Sequence, residues 1–269
     1  MGPNIDVKFE KLKELIEKQH SVIVAFSGGV DSSFLAKVAY EVLGNNALAI
    51  TVASQTIAGS EVEAAREVAR SIGVRHRVLE YDELWDSNIV KNPTNRCYFC
   101  KKNLLGFLEK IKLEEGFDRV IEGTCAEELG EHRPGYDAVR ESNTISPLVE
   151  LEFKKEEIIE LAKKLGLPNW DKPSKACLSS RIPYGEEINA EKLGRIEAAE
   201  DYLGELGIRQ FRVRSHESIA RIEVEEEDFP VILKNKKDIA KKLRELGFNY
   251  VTLDLQGFRS GSMNEKRGI

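Results

Sequence analysis

Hydrophobic residues in the first half of the chain follow two alternating patterns. Short continuous apolar runs at Ser21–Phe26 and Ala47–Ala53 predict strands that are buried on both faces. Each run precedes a segment with apolar residues at helical spacing, Ser32–Leu43 and Gly59–Ile72, and Gly73 ends the second helix. Two more strands are predicted at Arg75–Tyr81 and Arg119–Gly123. Strands that alternate with helices of this length predict βαβ crossovers, and therefore an α/β fold with a doubly wound parallel sheet.

The later part of the chain has a different pattern. A long charged helix precedes two segments that alternate with period two, as half-exposed strands do, and two helical stretches and a last strand follow. The helix and the three strands are Ile188–Leu206, Phe211–Arg214, Ile219–Val224 and Tyr250–Leu255. This order predicts a smaller C-terminal α+β domain. We place the two domains at residues 1–182 and 183–269, with the proline-containing segment Leu167–Gly185 as the linker.

Composition narrows the class of protein. The chain has 269 residues, 41% of them hydrophobic and 32% charged, which is typical of a globular protein. Its formal net charge of −6 argues against a nucleic-acid partner. No run approaches the ~20 apolar residues of a membrane span, and Met1–Lys18 lacks the apolar core of a signal peptide. We therefore expect a cytoplasmic enzyme without a membrane partner.

The strongest local motif is the segment Ala25–Ser32, between a predicted buried strand and a helix. Gly28 and Gly29 allow a tight turn and a close approach of the backbone to a ligand. The serine hydroxyls and the helix N-terminus add donors and a positive dipole end, so the segment predicts an anion site. The alternative is an ordinary strand–helix turn capped by Asp31 or Ser32. The strand and helix on either side favour the phosphate interpretation.

The sequence Ser-Gly-Gly-Val-Asp-Ser at Ser27–Ser32 lacks the G-K-[ST] of a Walker loop and the G-x-G-x-x-G of a dinucleotide site. It resembles the phosphate loop of the ATP pyrophosphatase (PP-loop) family, whose members release pyrophosphate and activate an oxygen as its adenylate. The resemblance implies that Asp31 helps to position Mg²⁺ and the pyrophosphate. The nucleoside is then expected at the carboxyl ends of the strands. The implied ATP-binding residues are Ala25, Ser27, Gly28, Gly29, Asp31, Ser32, Val52 and Gly123.

The four cysteines suggest a second kind of chemistry. Cys97 and Cys100 form a C-x-x-C, which alone fits half a zinc site, a redox pair or part of an iron–sulfur site. We interpret Cys125 as a small buried residue. Cys177 lies in a polar, proline-bounded segment where a purely structural cysteine is not expected. Three nearby cations are expected to favour its thiolate form, namely Lys172, Lys175 and Arg181.

Several segments together resemble the LarE family of ATP-dependent sulfur transferases. Besides the phosphate loop they are Asn95–Cys100, His132–Gly135, Trp170–Gly185 and Gly257–Glu265, and the resemblance extends from Phe9 to Glu265. In this family a carboxylate of a pyridinium biscarboxylic acid mononucleotide is adenylated and receives sulfur, for the nickel-pincer cofactor of lactate racemase. The resemblance implies that Cys177 is the sulfur-bearing cysteine.

Members of the family differ in their sulfur source. Some sacrifice the cysteine and leave dehydroalanine, whereas others use three cysteines for a [4Fe–4S] cluster with one open iron. Because this chain has the C-x-x-C, we favour a cluster held by Cys97, Cys100 and Cys177. Cys125 follows Gly123 and Thr124, and in the family the commoner pattern here is Gly-Thr-Asn. This departure leaves the role of Cys125 open.

Charged residues of the C-terminal domain are further candidates. Arg212 and Arg214 lie on one face of a predicted strand, and each alone is best interpreted as a solvated surface arginine. The resemblance makes them, with Arg259, candidates for the mononucleotide's phosphate. Glu223 with Glu200 is a possible metal pair, although we favour an exposed acidic strand face.

Two other functional classes compete with sulfur transfer to a mononucleotide. One is a related PP-loop enzyme that thiolates tRNA or amidates a small acid. The other is an ATP-binding module without chemistry, which leaves the Cys177 segment unexplained. We expect a small-molecule substrate and a homo-oligomer.

Overall fold

A computed structural model describes residues 5–127, 134–173, 175–259 and 261–263. Contacts divide the chain into two compact units: Met1–Asp82 with Asn95–Lys175, and Glu83–Thr94 with Ala176–Ile269. The domain boundary between 182 and 183 stays a prediction.

Parts of three sequence motifs lie outside the described residues. These are positions 132 and 133 of His132–Gly135, position 174 of Trp170–Gly185, and positions 260, 264 and 265 of Gly257–Glu265. Across the ranges that the structure describes, every helix is too short or too polar to cross a membrane.

The first unit contains a four-stranded sheet. Its strands are β1 (Val22–Ala25), β2 (Ala47–Ala53), β3 (Arg75–Glu80) and β4 (Arg119–Ile121). They are all parallel, in the order β3-β2-β1-β4. The predicted α/β fold with a parallel sheet is therefore confirmed.

Helices cover both faces of this sheet. In chain order the α-helices of the described residues, in both units, are α1 (Ile5–Glu17), α2 (Val30–Leu43), α3 (Gly59–Ile72), α4 (Ser87–Val90), α5 (Arg96–Glu115), α6 (Pro134–Arg140), α7 (Pro147–Glu150), α8 (Lys155–Lys164), α9 (Ala190–Glu205), α10 (Phe229–Lys234) and α11 (Lys236–Glu245). Val22 and Val24 of β1 face a core shared with α1, α2, α3 and α8. Ile23 faces the opposite core, where Leu108 and Ile111 of α5 pack. The alternation along one strand explains why its whole sequence is apolar.

The second unit contains a mixed three-stranded sheet of β5 (Phe211–His216), β6 (Ile219–Val224) and β7 (Tyr250–Leu253). β5 and β6 are antiparallel, and β6 and β7 are parallel. The predicted order of elements is confirmed, but the expectation of a half-exposed first strand is wrong. All residues of β5 except the last are buried, because its polar face is covered by charged partners described below.

A separate stretch of chain completes the second unit. The Asn92 carbonyl accepts from the N–H of Gly185, and the Val90 carbonyl accepts from the N–H of Ile188, both at 2.9 Å. The segment Glu83–Thr94 thus belongs to this unit although the first unit resumes at Asn95.

Candidate active site

The predicted phosphate loop connects β1 to the first turn of α2. Gly28 has a φ of +71°, and a Cβ added there would lie 2.7 Å from the Cα of Ala65 in α3, so only glycine fits. The buried hydroxyl of Ser32 accepts from the Ser27 N–H (3.2 Å) and donates to the Gly29 carbonyl (3.1 Å). Ser27 itself is exposed. The loop is therefore a tight turn with an open edge at a helix N-terminus, an arrangement that binds anions.

This loop lies at the switch point of the sheet. β1 pairs with β2 on one side and with β4 on the other, and open α/β sheets bind ligands where the strand order reverses. A Cβ on Gly123, just after β4, would lie 3.0 Å from the backbone nitrogen of Ser32. Ala25 is the last residue of β1, and Val52 is the last but one of β2. The structure therefore places the predicted ATP-binding residues at the carboxyl ends of neighbouring strands.

Asp31, in the first turn of α2, has a partner that sequence reasoning missed. Lys155 Nζ, on the first residue of α8, lies 2.7 and 2.5 Å from the two carboxylate oxygens of Asp31. The two residues are 124 positions apart, so no local spacing signals the pair. An ammonium group at this carboxylate marks a position suited to a cation, and carboxylate oxygens are ligands that Mg²⁺ prefers. The residues present therefore fit the predicted Mg²⁺.

The C-x-x-C occupies the first turn of α5. Cys97 and Cys100 are three residues apart on a helix, so both thiols lie on one side of it. Cys97 is exposed and Cys100 is half-buried. The guanidinium of the buried Arg96 reaches to 3.9 Å from the Cys97 sulfur. Two thiols on one helical turn fit two ligands of a metal centre.

Glu122, directly after β4, fixes the start of α5. This buried carboxylate accepts from Lys101 Nζ (2.8 Å), Ser146 Oγ (2.5 Å) and Thr124 Oγ1 (2.6 Å). Burial alone would raise the pKa of Glu122, but the Lys101 ammonium and the two hydroxyls outweigh it and lower the pKa below its ordinary value. Because Lys101 follows Cys100, the ion pair holds the C-x-x-C turn beside the carboxyl end of β4.

The predicted iron–sulfur ligands belong to different parts of the fold. Cys97 and Cys100 are in the first unit, and Cys177 is in the second. Within the described ranges, no three His, Cys, Asp or Glu side chains come together as metal ligands. The three-cysteine cluster therefore stays a prediction. Cys125 is 2% exposed and packs in the core of the first unit, which confirms its interpretation as a small buried residue.

Cys177 is half-buried and precedes a 3₁₀ helix at Leu178–Arg181. Its carbonyl accepts from Arg181 Nη1 (3.1 Å), while Arg181 Nε and Nη2 bind both carboxylate oxygens of Glu200. The other two cations expected to favour the thiolate, Lys172 and Lys175, both pair with Glu61 of α3. A carboxylate thus pairs with each of the three cations, and their effect on the thiol stays a prediction.

Arg212 and Arg214 on β5 are buried, only 6% and 5% exposed, so their interpretation as solvated surface residues is wrong. Arg214 donates to Glu223 (2.9 Å), to the Ser180 carbonyl (3.0 Å) and to Ser262 Oγ (3.1 Å). The Arg212 guanidinium lies over the Phe258 ring. Burial, together with the guanidinium of Arg181, lowers the pKa of Arg212 to about 10. The interior of the second unit therefore holds two buried guanidinium groups on β5.

The acidic residues of this interior are also paired. Glu223 is fully buried and accepts from Arg214, Arg221 and Ser262, so the expectation of an exposed acidic face is wrong at this position. Both oxygens of Glu200 are used by Arg181. Arg259, the third candidate for binding the mononucleotide's phosphate, is half-buried, and its Nη2 lies 3.7 Å from Asp254. Among the described residues, Arg181, Arg212 and Arg214 are thus buried close to Glu200 and Glu223.

Comparisons with known proteins agree with this architecture. The family model described as asparagine synthase matches residues 12–94, which contain the phosphate loop. An uncharacterised protein of Synechocystis is 43% identical over 97% of this chain and 98% of its own length. The pyridinium-3,5-bisthiocarboxylic acid mononucleotide synthase of Lactiplantibacillus plantarum is 38% identical over 91% of this chain and 89% of its own length. A tRNA-specific 2-thiouridylase of Rickettsia bellii is 27% identical over 76% of this chain and 65% of its own length.

Two observations indicate the same family of enzymes. They are the phosphate loop at the switch point of the sheet, and the similarity to the Lactiplantibacillus plantarum synthase over 91% of the chain. The chain belongs to the LarE family of PP-loop enzymes, as its motifs predict, and is an ATP-dependent sulfurtransferase.

Proposed function

We propose that the protein inserts sulfur into the carboxylates of pyridinium-3,5-biscarboxylic acid mononucleotide after adenylating them with ATP. The observation that supports this most is the glycine-rich turn at the switch point, in a chain 38% identical to a synthase of the bisthiocarboxylic product. The adenylate has a good leaving group, so a sulfur nucleophile displaces AMP and leaves a thiocarboxylate. The product then serves biosynthesis of the nickel-pincer cofactor of lactate racemase.

ATP binds with its phosphates at Ser27–Ser32 and its nucleoside near Ala25, Val52 and Gly123. Asp31 would hold Mg²⁺, and the ion would lower the cost of the charge that builds up on the departing pyrophosphate. Lys155, which pairs with Asp31 at 2.7 and 2.5 Å, would then be released to bind a phosphate oxygen.

The phosphate of the mononucleotide binds to Arg212, Arg214 and Arg259. The burial of Arg212 and Arg214, with the guanidinium of Arg181 acting on both, supports this assignment. Burial and the neighbouring guanidinium of Arg181 lower the pKa of Arg212, and an entering phosphate would compensate this concentration of positive charge. Guanidinium groups also match the geometry of phosphate oxygens.

Sulfur reaches the adenylate through Cys177. In the route we favour, Cys97, Cys100 and Cys177 would hold a [4Fe–4S] cluster, which would supply a transferable sulfide. In the other route Cys177 itself attacks the adenylate, and elimination leaves dehydroalanine at that position. Two thiols on one turn of α5 support the cluster, because a sacrificial cysteine needs neither of them.

Release of AMP and pyrophosphate tests the reaction. The wild-type protein with ATP, Mg²⁺ and the mononucleotide should form both products, whereas Asp31→Ala should lose most of this activity. Asp238→Ala is the matched control, because Asp238 is also an aspartate in the first turn of a helix but lies in α11. AMP release that depends on tRNA instead of the mononucleotide would favour the thiouridylase alternative, and unchanged release in Asp31→Ala would refute the loop assignment.

Anaerobic reconstitution tests the sulfur source. Iron, sulfide and intact mass are measured for the wild type, Cys97→Ala, Cys177→Ala and the buried control Cys125→Ala. The cluster route predicts iron in the wild type and the control, and its loss in the other two variants. A wild type without iron that converts Cys177 to dehydroalanine in one turnover would refute the cluster. Full activity of Cys177→Ala would refute both routes.

A further inference from the structure

Asn169, just after α8, is buried against the phosphate loop. The residue is 6% exposed, and its Nδ2 donates to the Gly28 carbonyl and to Ser33 Oγ, both at 2.9 Å. Its Oδ1 is buried without a hydrogen-bond partner among the described residues. A carbonyl oxygen only accepts, so the amide nitrogen must face Gly28. The side chain therefore acts on the loop as a donor, at the cost of an unsatisfied acceptor.

The direction of the Gly28 carbonyl determines where the next N–H points. The C=O and N–H of a trans peptide point in opposite directions. Because Asn169 holds the Gly28 carbonyl on the buried side, the N–H of Gly29 points to the exposed edge of the loop. There it donates to Ser27 Oγ over a long 3.3 Å. This N–H is thus directed to the place where an anion binds at the helix N-terminus.

A peptide between two glycines has little to hold it in one orientation. Neither residue has a Cβ, so rotation of the peptide by half a turn meets little steric resistance. Such a rotation would turn the carbonyl oxygen of Gly28 toward the phosphates and repel them. The two hydrogen bonds of Asn169 prevent it from the buried side.

We propose that Asn169 is a positioning residue for ATP, which keeps the Gly28–Gly29 peptide with its N–H toward the pyrophosphate. This inference rests on the proposed function, since it requires the loop to bind phosphates. In this role Asn169 acts through the backbone of the loop, by its hydrogen bond to the Gly28 carbonyl.

Binding of magnesium pyrophosphate to the full chain, measured by calorimetry, tests the inference without sulfur chemistry. At pH 8 Asn169→Asp should bind at least tenfold more weakly than the wild type, because a carboxylate cannot donate to the Gly28 carbonyl. At pH 5 the ratio to the wild type should fall, because a buried carboxyl beside a carbonyl oxygen protonates readily and regains a donor. Asn169→Ala, which adds no buried charge, should bind weakly at both pH values.

Asn92→Asp is the matched control. Asn92 is fully buried and its Nδ2 donates to the carbonyls of Ile182 (3.3 Å) and Pro183 (2.8 Å), but it belongs to the other unit. This variant should lose thermal stability as Asn169→Asp does and keep wild-type affinity for pyrophosphate. Equal affinity of Asn169→Asp and the wild type, or equal loss of affinity in the control, would overturn the inference. No binding by the wild type would instead refute the phosphate-loop assignment.

Discussion

Replacing the fully buried Glu223 by glutamine should destabilise the second unit strongly. The Glu223 carboxylate accepts from Arg214 at 2.9 Å and from Arg221 at 2.8 Å, and Arg214 is itself only 5% exposed. Removing one charge of a buried pair leaves the other uncompensated, which costs about 3–5 kcal/mol. At roughly 2–4 °C for each kcal/mol in a chain of about this size, the melting temperature should fall by roughly 6–20 °C. Urea unfolding followed by circular dichroism measures the same loss as a free energy.

Glu225→Gln is the matched control for this prediction. Glu225 lies two residues further along the chain and is exposed, so the variant makes the same change of charge outside the interior. A surface substitution of this kind should change the free energy of unfolding by less than about 0.5 kcal/mol. If Glu223→Gln costs no more than Glu225→Gln, the charged interior does not stabilise the second unit as argued.

Three further predictions concern the proposed site. Gly28→Ala should cost about 1–2 kcal/mol for its left-handed backbone and about 1–3 kcal/mol for the contact with Ala65, and an unchanged urea midpoint would contradict this. Because folding lowers the pKa of Glu122, its carboxylate stabilises the fold fully above the ordinary value of 4.5 and loses this effect as the pH falls through the lower, folded value. In Glu122→Gln the free energy of unfolding should therefore fall less steeply than in the wild type as the pH is lowered below 4.5. The same acid dependence in both proteins would refute the argument. Arg214→Ala or Arg259→Ala should weaken mononucleotide binding by about 1.5–3 kcal/mol in calorimetry, and an equal loss for ATP would indicate misfolding instead.

The parallel sheet was predictable because strands that are buried on both faces have continuous apolar sequences. β1 and β2 lie between two apolar cores, so almost every position of these strands is apolar. The phosphate loop was predictable for a similar reason, since its glycines and the flanking strand and helix are contiguous.

The ion pairs were not predictable from the sequence. An arginine on a period-two strand has the same pattern whether it faces solvent or a buried carboxylate, and Arg214 faces Glu223. The partners of Asp31 and Gly28, which are Lys155 and Asn169, come from positions more than a hundred residues away. Such pairs become visible only when the topology brings distant segments together.

The first unit is interrupted in sequence by Glu83–Thr94, which belongs to the second unit, and this has a consequence for synthesis on the ribosome. The segment Glu83–Thr94 emerges well before its partners, because Asn92 and Ile182 are 90 residues apart. At roughly 5–20 residues per second, the segment waits roughly 5–18 s for them. A fragment that begins at Ala176 lacks this segment altogether. The second unit therefore cannot be produced as one contiguous fragment free of residues 95–175, and a rearranged gene that joins residues 83–94 to 176–269 is needed.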